Sequence, residues 1–232
     1  MRILTSTNFA RARKFILTEG RNLERAFFRY QFENGPKEDV LAALQAYQNA
    51  DGGFGRALEP DIRTQASSAI ATQHALETLR ALLPVQDEMI SRVVEYLVRT
   101  FDDNRAVWPI VPPQVEDALH APWWTYATAE EGFGGYRANP TAAIAGLLQD
   151  HRSLFPDDIL QQSIAQALDY LSSLPAEGVP IHDFLCFITL AESLEDVRKQ
   201  IVLDKLALAI PHTIAFDMAD WESYGLRPIA VA

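Results

Sequence analysis

Apolar residues recur along this chain at helical spacing. Val40, Leu41, Leu44 and Tyr47 fall at i, i+1, i+4 and i+7, one face of a helix that opens at Pro36. Ile90, Val93, Val94 and Leu97 trace a second amphipathic helix over 86–101, and Leu160, Ile164, Leu168 and Leu171 a third over 156–173. Three other segments differ in kind. Ala66, Ser67, Ser68, Ala69, Ala71, Thr72 and Ala75 make most of the surface of 64–83 small, which predicts close packing on several sides. The segments 140–149 and 180–190 carry apolar residues nearly all round, which predicts burial. Asn8 is expected to cap a helix to residue 18 with Gly20 as its stop, and further helices are expected over 22–32 and 194–208. From Pro211 onward the chain reads as irregular. No Asn-Gly turn sits between alternating runs, so an all-α chain is expected.

The two kinds of helix alternate. Those at 36–48, 86–101 and 156–173 are each followed by an apolar or small-residue one, at 64–83, 140–149 and 180–190. A two-layer ring explains this, with outer helices wetted on one side and inner helices lining the ring. Between the first such pair lies Gln48-Asn49-Ala50-Asp51-Gly52-Gly53-Phe54-Gly55, which reads as a built turn. Glycine allows positive φ there, Asp51 can accept amide hydrogen bonds, and Phe54 can plug the turn into a core. Gly53-Phe54-Gly55 followed by Pro60 and a helix is echoed by Gly132-Phe133-Gly134, Pro140 and a helix, 79 to 80 residues later. The stretch 102–139 is rich in proline, glycine and aromatics and reads as one long irregular loop, a length that is often functional.

Composition narrows the setting. The 232 residues suit a single domain, 1–232, and 48% hydrophobic content supplies a substantial core. Twenty Lys and Arg against 31 Asp and Glu give a net charge of −11, which disfavours nucleic acid and anionic membranes as partners. The single cysteine, Cys186, rules out an intramolecular disulfide and fits a reducing compartment. Residues 1–20 lack the apolar core of a secretory signal, and no run approaches the roughly 18 apolar residues of a membrane span. The cytoplasm is the expected location.

The spacing Leu44, Gln48, Gly52-Gly53-Phe54 resembles the glutamine–tryptophan repeat of terpenoid cyclases and the Gly-Gly-Phe repeats of protein prenyltransferase β subunits, with phenylalanine in place of the cyclase tryptophan. The resemblance is specific over about 36–83. It implies an α/α toroid, in which Gln48 ties helix ends together, Phe54 packs over it and Asp51 forms the turn. It also implies a small-molecule ligand, apolar and isoprenoid in character, in a central cavity. The chain holds fewer helix pairs than a full ring uses, so the ring is expected to be open, small, or completed by a second copy or a partner chain. The ending at 228–232 without a terminal helix makes truncation an expectation too.

Candidate chemistry is sparse. The Asp-x-Asp-Asp acid of class II cyclases is absent, as is the Asp-x-Cys that opens the prenyltransferase zinc set. No reaction is therefore assigned, and no cofactor is expected. His182 and Cys186, spaced i, i+4, are weak candidates for two zinc ligands, against the simpler reading of Cys186 as a small core residue. Glu59, Asp61 and Arg63 lead into the first inner helix and are expected at the cavity mouth. Asp61 serves as a general acid there if burial raises its pKa, and as a helix-terminal acid otherwise. His120, Trp123, Trp124 and Tyr126 form the other candidate cluster. The tryptophans either stack on a ligand or close the loop over the core, and His120 can exchange a proton near neutral pH. His74, among small residues, is expected to be a packing histidine. Asp157-Asp158 follow Pro156 and read as first-turn helix acids. Nucleotide loops of the Gly-x-x-x-x-Gly-Lys kind and Gly-x-Ser-x-Gly elbows are missing, which disfavours nucleotide use and serine hydrolysis. Two alternatives stand beside the isoprenoid reading: a carbohydrate-active toroid of glycoside hydrolase or polysaccharide lyase type, using paired carboxylates and aromatic platforms, and a non-catalytic binding or scaffold protein.

Overall fold

The computed structural model describes residues 4–84, 88–175, 178–222 and 225–228. Ten α-helices lie among them, with isolated β-bridges in place of any strand, so the chain is all-α as its spacing predicts. Two compact units divide it, 1–48 and 49–232.

The first unit holds α1 (Ser6–Glu19), α2 (Asn22–Glu33) and α3 (Lys37–Gln45). Thr5, rather than Asn8, caps α1, its hydroxyl accepting from the Asn8 amide at 3.2 Å. Phe9 of α1 meets Phe28 and Phe32 of α2 at ring separations of 5.9 and 5.8 Å. Asn34 ends α2 in the left-handed region at φ 53°, a conformation asparagine tolerates better than most residues.

The second unit runs through α4 (Ala69–Arg80), α5 (Glu88–Thr100), α6 (Tyr126–Gly132), α7 (Thr141–Leu148), α8 (Asp157–Ser173), α9 (Ile181–Ser193) and α10 (Val197–Thr213). Its centre is α7, whose eight residues are all buried. That helix packs against α4, α8 and α9, which is why a sequence apolar on every side suits it. Gly146 permits a close approach: a Cβ there would stand 2.7 Å from the Thr189 carbonyl oxygen and 2.8 Å from the Leu190 Cα of α9. α10 covers α8 and α9.

The glycine turn is anchored within this unit. The Asp51 carboxylate accepts from the Gly53 amide at 3.1 Å and from the Ser67 hydroxyl at 2.8 Å. Gly52 has φ +91°, and a Cβ on it would fall 2.1 Å from the Arg92 carbonyl oxygen of α5. The Phe54 ring is fully buried; its amide donates to Thr72 Oγ1 at 3.1 Å and its carbonyl accepts from the Ser68 amide at 2.9 Å.

That pairing explains the main departure from the expected boundaries. The helix expected from residue 64 begins only at Ala69, because Ser67 and Ser68 are committed to the turn. Thr64 likewise closes a local turn onto the Ala66 amide. Ser68 then caps α4, accepting from the Ala71 amide at 3.2 Å. Ser68→Ala is expected to cost about 1 kcal/mol, read in urea denaturation. An unchanged midpoint would show that the pairing with Phe54 holds this helix start without the cap.

Two further boundaries differ. The expected loop at 102–139 holds α6 and short 3-10 turns at Pro113–Asp117, Pro122–Trp124 and Gly134–Tyr136. Its aromatics are the reason: Trp124 and Tyr136 pack into a cluster with Ile62, Ile70 and Ile110 and so hold the chain in tight turns. α10 continues through Pro211, expected to open the irregular tail, because a proline in the last turn forfeits only one helical hydrogen bond. Residues 86–87 of the expected helix 86–101, and 229–232 at the chain's end, lie outside the described residues.

Candidate functional site

Two helices of the second unit each turn one face to a common cavity. α4 contributes Ile70, Gln73, His74 and Glu77, and α9 contributes His182, Leu185, Cys186 and Thr189. Both sets fall at i, i+3, i+4 and i+7, the spacing of one helix face. The aromatic segment adds Trp123, Trp124, Glu131 and Phe133 to the lining, and Glu59 and Asp61 also line it. The cavity measures about 1090 Å³.

His74 organises the α4 side. Its Nε2 lies 2.8 Å from Glu59 Oε2 and its Nδ1 3.1 Å from Glu77 Oε2. Two carboxylate acceptors require both ring nitrogens to donate, which only the imidazolium can do. Burial works against the charge, but the hydrogen bonds to Glu59 and Glu77 outweigh it and push the pKa up to about 9. Burial likewise opposes ionisation of Glu77, yet the His74 contact holds its carboxyl below the usual range. The Gln73 amide donates to Glu77 Oε1 at 2.9 Å, completing a chain Glu59–His74–Glu77–Gln73. His74, expected as a packing residue, is therefore an ion-pair centre facing the cavity. The missed signal was the His74–Glu77 spacing of i, i+3.

The two tryptophans take different places. Trp124 is buried and stacks on Phe133 with ring centroids 5.1 Å apart, whereas Trp123 is 56% exposed at the cavity's edge. Glu59 and Asp61 line the cavity, as do His182 and Cys186. Asp61 is exposed there. Burial pushes the Cys186 thiol well above its usual range, which leaves it a poor nucleophile. Among the described residues no group of three His, Cys, Asp or Glu is arranged to hold a metal ion.

Arg63, His120 and Tyr126 stand apart from the lining. The Arg63 amide donates to the Leu119 carbonyl at 2.9 Å and the Ala121 amide to the Asp61 carbonyl at 3.0 Å, a bridge that joins the Glu59 turn to the tryptophan segment. His120 Nδ1 sits 2.8 Å from the Ala118 carbonyl, and the Tyr126 amide donates to Glu116 at 2.6 Å. These contacts hold the segment in shape.

Asp183, absent from the sequence candidates, is buried and follows the cavity-lining His182 on α9. Desolvation raises its pKa to about 6 against the opposing hydrogen bonds from the Tyr170 hydroxyl, at 3.1 Å, and the Asn139 amide. Asn139 itself lines the cavity.

No protein-family model, no curated protein and no solved structure matches this chain. Among the described residues no helix is long and apolar enough to cross a membrane. Fold and site together define an all-α protein with a large cavity walled by aromatic and acidic side chains.

Proposed function

We propose that the unit 49–232 binds a small apolar ligand, isoprenoid in character, as its resemblance to terpenoid cyclases and prenyltransferase β subunits implies. The cavity carries this reading: about 1090 Å³ is ample for a drug-sized molecule, and Ile70, Trp123, Trp124, Phe133 and Leu185 supply apolar walls. The all-round burial of α7 supports kinship with the inner helices of an α/α toroid. Asp61, which lines the cavity and is exposed there, is the carboxyl group proposed to exchange a proton with a bound molecule, while Glu59 is held by His74. His74 is not the base, since it is already protonated at neutral pH. No cofactor is proposed. The cytoplasm is the proposed compartment, and a second copy is the proposed partner if the ring needs completing.

One observation favours a second reading. The half-exposed ring of Trp123 borders the same cavity as Asp61 and Glu131, an aromatic platform beside carboxylates that also suits a sugar.

Binding of geraniol and farnesol, set against cello- and malto-oligosaccharides, separates the two by calorimetry. Trp123→Ala is expected to weaken isoprenoid alcohol binding about tenfold, roughly 1.4 kcal/mol, while thermal stability changes little because the ring is half exposed. A large loss of stability with unchanged affinity would make Trp123 a structural lid instead. Saccharide binding without alcohol binding would replace the first reading with the second.

A further inference from the structure

The charges on the cavity wall bear on what the ligand carries. Glu59, Asp61, Glu77 and Glu131 bring four carboxylates, while among the described residues His74 is the one positive group and no lysine or arginine lines the site. His74 is shared between Glu59 and Glu77. Among the described residues, no ion pair involves the side chain of Asp61 or Glu131. The wall is thus acidic overall, and a phosphorylated or carboxylated ligand would be repelled from it.

A second observation points the same way. Gln73, Trp124 and Asn139 each line the cavity, and each is more than nine-tenths buried. Each also leaves one polar atom without a hydrogen-bond partner: Gln73 Oε1, Trp124 Nε1 and Asn139 Oδ1. A buried polar atom left unpaired is costly, and these three have almost no exposed surface, so pairing with a bound ligand requires their side chains to turn towards the cavity. Two of the three are acceptors and need an N–H or O–H donor. The aromatic wall adds a third element, since Trp123 and the stacked Trp124–Phe133 pair offer ring faces that attract positive charge.

We infer that the cavity takes an organic cation, a protonated amine carried on an apolar body. This rests on the apolar-ligand reading above and adds the charge to it. The ammonium group supplies counter-charge to Asp61 and Glu131. The hydrocarbon body lies against the aromatic wall. Glu59 and Glu77 keep their bonds to His74.

Three probes of one skeleton test the charge: geranylamine, geraniol and geranic acid, titrated into the full chain at pH 7. The amine is expected to bind about tenfold tighter than the alcohol, and the acid weaker than both. Raising the salt concentration from low to high is expected to weaken the amine selectively. Glu131→Gln, an exposed substitution on α6, is expected to lower the ratio of amine to alcohol affinity a few-fold, roughly the effect of one partly screened charge. Asp61→Asn, also exposed, serves the same comparison. Equal affinity for amine and alcohol, or tighter binding of the acid, overturns the cationic ligand and leaves the apolar cavity standing. Failure of all three to bind overturns the apolar-ligand reading, and this inference with it.

Discussion

Phe54→Ala is expected to lower the unfolding free energy by about 3–5 kcal/mol, among the largest single effects in the chain. The ring is fully buried, so truncation leaves a cavity as well as removing apolar contact. The residue's backbone is committed on both sides, to Thr72 Oγ1 and to the Ser68 amide, so the turn cannot collapse to fill the space without breaking the start of α4. Urea denaturation followed by tryptophan fluorescence gives the number. Phe54→Leu, which keeps most of the volume, should recover the greater part of it. A cost under about 1 kcal/mol for the alanine would show that the hydrogen bonds of Asp51, and not the ring, hold the turn.

The second large effect is a loss of stability in alkali that depends on His74. Its folded-state pKa of about 9 lies above the ordinary value of 6.5. A histidine raised in this way stabilises the fold fully below its unfolded pKa and loses that contribution as pH rises through the folded one. The window therefore runs from about 6.5 to about 9. With 37% of the side chain still exposed, screening reduces the contribution to on the order of 1–2 kcal/mol. Denaturation midpoints measured at pH 6, 7.5, 9 and 10 should fall through that window in the native protein and stay flatter in His74→Gln. The imidazole proton resonance of His74, followed by NMR, should titrate near 9. A midpoint below 7 would mean that Glu59 and Glu77 do not hold the ring as an ion pair. The same titration reports on the cavity, because His74 is the cation that keeps two of its carboxylates compensated.

Much of the helical order was legible from spacing. The periods at 86–101, 156–173 and 180–190 correspond to α5, α8 and α9, because burial of one face repeats every three to four residues whatever lies opposite. The built character of the glycine turn was legible for a related reason. Gly52 has φ +91° and no room for a Cβ, a demand that only glycine meets at no cost. Helix starts were less legible. Thr64, Ser67 and Ser68 have hydroxyls that serve helices and turns equally, and their choice depends on Asp51 and Phe54, which no local window relates to α4.

The site divides along the same line. Glu59, Asp61, Trp123 and Trp124 could be marked as candidates because carboxylates and adjacent tryptophans are conspicuous by type. Their separation into a buried Trp124 and an exposed Trp123 rests on Phe133, which stacks on only one of them. His74 looked like packing because its neighbours in sequence are small, while its partner Glu59 is fifteen residues away across a turn. Sequence alone determined the all-α class, the helix faces and the strained turn, since these follow from periods and backbone sterics acting over a few residues. Tertiary structure alone decided that the α4 and α9 faces meet in one cavity, that His74 is charged, and which polar atoms go unpaired. Those properties depend on distances between segments far apart in the chain, and pairing and desolvation act only once such groups are within a few ångströms.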